Sequence, residues 1–212
     1  MKEFLKLYLV TDRDLSQGRS LEEVVSEAVA GGVTMVQLRE KETSTGEFVD
    51  LANRLMHMLK PLGIPLIIND RVDVALAVDA DGVHIGQSDM PYKIARKLLG
   101  PDKIIGLSVE NFEDIDKANG LDVDYIGISP VYGTPTKTDT AEPFGLDGLL
   151  KAVSMSVHPT VAIGGMNKHT AADVMATGTD GIAVVSAISS ALSPGLAAKE
   201  LMEIIRRVQN GR

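Results

Sequence analysis

The sequence predicts a (β/α)8 TIM barrel, an α/β fold, and three observations carry that expectation. Short β-branched runs alternate with helical stretches along the chain. The alternation repeats eight times in 212 residues, within the size range of a closed parallel barrel. Polar residues and glycines gather just after each run, where the carboxyl ends of parallel strands form ligand sites. Strands alternating with helices imply parallel pairing through right-handed crossovers. An open doubly wound sheet satisfies the same alternation, because periodicity does not report closure. No linker or composition shift marks a second unit, so residues 1–212 read as one barrel domain.

In chain order, the predicted strands are Leu5–Thr11, Thr34–Arg39, Pro65–Asn69, Gly82–Ile85, Ile104–Val109, Tyr125–Ser129, Thr160–Ile163 and Gly181–Val185. Helices are expected to start near Ser20, Thr45, Val72, Pro91, Phe112, Leu146, Lys168 and Pro194. The first is announced by Ser20-Leu21-Glu22-Glu23, a capping box, then Val24, Val25, Ala28 and Val29 at helical spacing, with Gly31-Gly32 as a stop. From Thr45 to Leu62, Phe48, Leu51, Ala52, Leu55, Met58 and Leu59 form an i, i+3, i+4 stripe, and Gly63 and Pro65 end it. Leu196, Leu201, Ile204 and Ile205 repeat the pattern after Pro194. One connection is long, from Ser129 to Gly145. Its three prolines and four threonines make a stiff, hydroxyl-rich loop, and loops of that length in compact domains are usually functional.

Bulk properties narrow the function classes. The hydrophobic fraction of 44% and charged fraction of 24% are those of a soluble globular protein. There is no cysteine, which excludes disulfides and thiolate metal sites and fits a cytoplasmic location. The Leu7 to Val10 run is too short for a signal peptide, and no stretch approaches the ~20 apolar residues of a membrane span. A net charge of -8 argues against nucleic acid as a partner. It leaves room for a small phosphorylated substrate, which needs only a local cluster of cations and backbone N–H groups. A homo-oligomer is left open.

The second strand exit is the most informative. Side chains alternate along a strand, so Gln37, Arg39 and Lys41 share one face and suit an anionic ligand. Gly164-Gly165 and Val185-Ser186 follow the seventh and eighth strands, where barrels often bind phosphate. A tight turn is the plainer reading of the two glycines. Asp70 and Asp89 lie on neighbouring exits with no thiolate beside them, a pair that suits a hard cation such as Mg2+. Each also reads as a helix cap, Asp70 before Val72 and Asp89 before Pro91 as an N1 proline. The loop residues Thr134, Pro135, Thr136 and Lys137 offer hydroxyls and a cation to phosphate, or form a solvated loop. His84, between Gly82 and Gly86, reads as a satisfied interior histidine. No Ser-His-Asp order, histidine metal cluster or Walker loop is present.

Taken together, the motifs resemble the thiamine-phosphate synthase family. They are Tyr8-Leu9-Val10-Thr11-Asp12, Gln37 to Lys41, Ile68-Asn69-Asp70-Arg71, Asp81 to Gln87 with Asp89, Gly106-Leu107-Ser108, Asp124 to Lys137, Ala162 to Met166 and Val185-Ser186-Ala187-Ile188. The resemblance runs nearly end to end, and its specificity lies in the order and spacing. It implies a (β/α)8 barrel that joins hydroxymethylpyrimidine diphosphate to thiazole phosphate with Mg2+, releasing pyrophosphate. It further implies that Gln37, Leu38, Arg39, Glu40, Lys41, Asn69, Ser108 and Lys137 serve the pyrimidine diphosphate, with Arg39, Ser108 and Lys137 catalytic. Thr134, Pro135, Thr136, Gly165, Val185 and Ser186 would serve the thiazole phosphate, and Asp70 and Asp89 the metal. A related thiazole tautomerase and a phosphate-ligand sensor are the alternatives. Neither has a purpose for Arg39, Lys41, Asp70, Asp89 and Lys137 together.

Overall fold

The computed structural model describes residues 1–133 and 142–211. Eight parallel strands form a closed barrel: β1 (Leu7–Val10), β2 (Met35–Leu38), β3 (Leu66–Asn69), β4 (Gly82–Ile85), β5 (Ile104–Val109), β6 (Tyr125–Ile128), β7 (Thr160–Ile163) and β8 (Gly181–Val184). The pairing of β1 with β8, Leu7 opposite Ile182 and Leu9 opposite Val184, closes the sheet. That pairing excludes the open doubly wound alternative. The helices are α1 (Lys2–Leu5), α2 (Leu21–Ala30), α3 (Thr45–Leu59), α4 (Val72–Ala77), α5 (Tyr92–Leu99), α6 (Phe112–Asn119), α7 (Gly145–Met155), α8 (Ala171–Ala176), α9 (Ser186–Ser189) and α10 (Pro194–Asn210). Among the described residues, no helix is long and apolar enough to cross a membrane.

Strand parity divides the core in two. Outward residues such as Leu9, Val36, Leu38, Ile68, Val83, Ile105, Ile126, Ala162 and Ile182 pack under the helices. Inward residues Tyr8, Val10, Met35, Ile67, Tyr125, Val161 and Ala183 form a smaller cluster inside the barrel. The first strand starts later than the alternation suggests. Residues Lys2–Leu5 form a helical turn that brings Leu5 into the interior cluster with no exposed surface. The apolar spacing of Leu5, Leu7 and Leu9 fits a strand equally well, and only the closed barrel gives Leu5 an end to plug.

Two further boundaries moved. The helix expected near Lys168 starts at Ala171, because Asn167 and Thr170 engage the intervening backbone: His169 N–H donates to Asn167 Oδ1 and Asn167 N–H to Thr170 Oγ1. A short helix, α9, follows β8 directly, ahead of the expected α10. The capping box expected at Ser20 is present, and a second one, not expected, stands at Ser44. Ser20 caps α2, and Ser44 caps α3 with Glu47 returning the hydrogen bond. The Ser44 cap predicts a measurable cost: Ser44→Ala is expected to lower unfolding free energy by ~1 kcal/mol. A urea titration reads this, and an unchanged midpoint would remove the cap from the energetics.

Candidate active site

Above the apolar plug, polar side chains and a few apolar ones, Ile163 and Val185 among them, surround a cleft of about 1020 Å³ at the carboxyl ends of the strands. Gln37, Arg39 and Lys41 all line it, as their shared parity requires. Asn69, Asp70, Asp89, Ser108, Gly165, Val185 and Ser186 line the same cleft. Leu38 and Glu40 are not among the lining residues, for the same reason of parity. Leu38 is fully buried in the outer core, and Glu40 accepts two hydrogen bonds from Arg13, at 3.1 and 3.2 Å. Thr134, Pro135, Thr136 and Lys137 lie outside the described residues.

The cap readings of the two aspartates do not hold. Neither α4 nor α5 has a side-chain cap, and Pro91 sits at the N-cap of α5 rather than in its first turn. Asp70 instead accepts from Lys41 Nζ at 2.8 Å and adopts φ 60°, a left-handed conformation uncommon for a residue with a side chain. Asp89 Oδ2 accepts from the Gly86 N–H at 2.7 Å, folding the loop after β4 back on itself. The two carboxyls interact directly and are driven apart. For Asp70, burial works upward, but the Lys41 ammonium and the hydrogen bond with Asp89 outweigh it and hold the group below the usual carboxylate range. Asp89 is pushed up by burial, opposed by the Gly86 N–H and reinforced by the adjacent Asp70. Two like charges this close favour a shared proton or a shared cation. Among the described residues no larger cluster of metal-ligating side chains occurs.

On the opposite side of the rim, Gly164 and Gly165 adopt φ 102° and 73°. A Cβ on Gly165 would sit 2.8 Å from Tyr132 Cβ, so this turn admits glycine for both conformation and space. Asn167 Nδ2 and Thr170 Oγ1 both donate to the Gly165 carbonyl at 3.0 Å, which fixes the orientation of the peptide. Val185 and Ser186 stand where β8 turns into α9.

His84 is satisfied, as expected, but its partners are informative. One ring nitrogen meets Tyr125 Oη at 2.9 Å and the other meets Ser108 Oγ at 2.8 Å. Tyr125 Oη is 2.9 Å from Tyr8 Oη, and Gln37 Nε2 donates to Tyr8 Oη at 2.7 Å. Sequence reasoning passed over Tyr8 and Tyr125. Parity could have found both, since Tyr8 shares the inward face with Val10, and Tyr125 with Gly127. Gly106 makes the arrangement fit: a methyl there would overlap the Tyr125 ring and lie 2.6 Å from His84 Nδ1.

A closed parallel barrel with one polar cleft at the carboxyl rim is the architecture of a barrel enzyme. Residues 7–188 match the family model for thiamine monophosphate synthase. The thiamine-phosphate synthase of Albidiferax ferrireducens is 52% identical over 204 residues, 96% of this chain and 93% of that protein. That of Vibrio campbellii is 52% identical over 95% of this chain and 98% of its own length. The solved thiamine phosphate pyrophosphorylase of Pyrococcus furiosus superposes with a TM-score of 0.90 at 41% identity, covering 98% of each chain. The chain belongs to the thiamine-phosphate synthase family.

Gly106→Ala is expected to destabilise the barrel by ~1–3 kcal/mol through overpacking. Urea denaturation measures it, and an unaltered midpoint would show that Tyr125 and His84 can repack around the methyl.

Proposed function

We propose that this chain, acting as one barrel domain in the cytoplasm, is a transferase that joins an aminopyrimidine methyl diphosphate to thiazole phosphate or its carboxylated form. The products are thiamine phosphate and pyrophosphate, with carbon dioxide released as well when the carboxylated form is used. The observation that carries the reading is convergence: Arg39, Lys41, Asn69, Asp70, Asp89, Ser108 and Gly165, from five separate strand exits, line one cleft.

Gln37 faces the pyrimidine in this reading. Arg39, Lys41, Asn69 and Lys137 hold the diphosphate, and Ser108 donates to the leaving oxygen. Thr134, Thr136, Gly165, Val185 and Ser186 receive the thiazole phosphate, through backbone N–H groups and hydroxyls at the usual phosphate position of a barrel. Bond changes are few. The C–O bond to the diphosphate breaks as its electron pair leaves with pyrophosphate, and the thiazole nitrogen supplies the pair for the new C–N bond. That nitrogen carries no proton, so no general base is needed. Satisfied hydrogen bonds on both His84 nitrogens are consistent with this. Rate enhancement comes from aligning two substrates and from charge stabilisation of the departing group.

Asp70 and Asp89 fit a hard divalent cation. They are two oxygen-donor carboxylates in contact, opposed in charge by one lysine, on the wall of a cleft suited to phosphates. Mg2+ bound there would offset charge on the diphosphate oxygens. The two carboxylates would hold it, and Lys41, hydrogen-bonded to Asp70, would add positive charge beside it.

The direct test is a pyrophosphate-release assay with both substrates, with and without Mg2+. Release that needs both substrates and the metal is expected. Substrate binding with no release would overturn the transferase reading in favour of a sensor or a one-substrate isomerase. Asp89→Ala is expected to raise the Mg2+ concentration for half-maximal turnover by at least ~10-fold while leaving the urea midpoint near wild type. Wild-type activity at limiting Mg2+ would refute the metal role.

A further inference from the structure

The hydrogen bonds beneath the cleft form one unbroken line: Gln37 Nε2, Tyr8 Oη, Tyr125 Oη, His84 Nδ1, then His84 Nε2 to Ser108 Oγ. Gln37, Tyr8, His84 and Ser108 all line the cleft, although Tyr8 is only 1% exposed, and Tyr125, 0% exposed, lies beneath them. Burial pushes both phenols well above the usual tyrosine range, so each stays a neutral hydroxyl with one proton to give.

A line of such groups has only two polarities. A hydroxyl can accept from two sides but has one proton to give. Where both phenol protons are used within the line, a hydroxyl that accepts from one side donates to the other. A neutral imidazole has one donor and one acceptor nitrogen. With Gln37 Nε2 donating to Tyr8, the Tyr8 proton goes to Tyr125, and the Tyr125 proton goes to His84 Nδ1. His84 then carries its proton on Nε2 and donates to Ser108, whose own proton turns into the cleft. At the far end, Gln37 keeps Oε1 for the cleft. Reversal would present the Gln37 NH2 group as a donor and leave Ser108 as an acceptor. A diphosphate oxygen has no proton to offer Ser108, so it fits the polarity that the Gln37 amide already sets in the free protein.

We propose that Tyr8, Tyr125 and His84 are positioning residues that tie the Gln37 amide orientation to the Ser108 hydroxyl, so that the cleft presents an acceptor at Gln37 and a donor at Ser108. This deepens the transferase reading and rests on it for the identity of the ligand. The consequence is substrate selection. A pyrimidine with an amino group toward Gln37 is accepted. The matching 4-oxo pyrimidine diphosphate, which brings an oxygen against Oε1, is rejected. A site built to hydrogen-bond one such group discriminates strongly, because the wrong partner leaves buried polar groups opposed.

Two measurements on the full-length protein test the relay. The first is 15N NMR of histidine-labelled free protein at mildly alkaline pH, with the His84 signal identified by its loss in His84→Asn. A neutral Nε2–H tautomer is expected, and its preference is expected to disappear in Tyr125→Phe. A protonated ring, an Nδ1–H tautomer, or a preference that survives Tyr125→Phe would overturn the relay whether or not the enzyme reading holds. The second is the ratio of kcat/KM for amino over oxo pyrimidine diphosphate, expected to be at least ~100-fold in the wild type and to fall ~10-fold or more in Tyr125→Phe and Tyr8→Phe. A ratio is insensitive to the fraction of folded enzyme, so a merely structural role would not move it. An active wild type whose ratio is unchanged in either folded variant overturns the proposal. A wild type that makes no thiamine phosphate from the amino substrate overturns the transferase reading instead, and the NMR outcome still decides the relay. Should Tyr125→Phe not fold, Tyr8→Phe and the wild-type tautomer carry the test.

Discussion

The pairing of β1 with β8 is the contact on which everything at the rim depends. Without closure, Tyr8 and Ala183 would sit on opposite edges of a sheet, and Gln37 and Ser186 would face different crevices. With it, Leu7 to Leu9 lie in register with Ile182 to Val184, and every second residue of eight strands is turned toward one axis. Parity then does the sorting. Arg39 and Lys41 arrive inside because Gln37 does, and Leu38 goes to the outer core because its neighbours do not.

Charge at the rim is arranged as opposed pairs rather than as a simple cationic basin. Lys41 holds Asp70, and Arg39 lies 3.9 Å from Asp12. Half-exposed pairs of this kind contribute little to stability, because solvent screens them. Their value is preorganisation. Each cation is already aimed at the cleft, and each carboxylate limits how far it swings. Asp70 and Asp89 bear on each other, and Lys41 beside Asp70 relieves only part of the repulsion, since Asp89 is still pushed up. That local tension and the positive φ of Asp70 both lie in the wall of the cleft.

Much of this was legible in the sequence, and what was not has definite causes. Eight alternating runs pointed to the barrel, and the three strands Gly82–Ile85, Ile104–Val109 and Thr160–Ile163 have the boundaries their composition indicates. The helical turn at Lys2–Leu5 was hidden because Leu5 fits strand alternation with Leu7 and Leu9. The delayed start of α8 depends on Asn167 and Thr170 bonding to backbone, a choice that propensity alone does not make. For Asp70 and Asp89, capping and metal binding call for the same residue type at the same place in a loop. Only the direction each carboxyl takes separates them: toward Lys41 in one case and the Gly86 N–H in the other. The line through Tyr8, Tyr125 and His84 joins residues as much as 117 positions apart, and no local pattern reports such a contact.

That line also explains a choice in the floor of the barrel. An apolar plug of Leu5, Val10, Met35, Ile67 and Val161 would be served as well by phenylalanine at positions 8 and 125, at no risk of an unsatisfied hydroxyl. Tyrosine there is costly unless both oxygens are paired, and both are, in series, with the line ending only at groups that reach the cleft. Gly106 leaves room for the Tyr125 ring beside His84, giving up a side chain in mid-strand to do so. A core that accepts two buried phenols and a glycine in a central strand is not optimised for packing alone. The same hydrogen bonds that make the floor tolerable fix the polarity of the cleft above it.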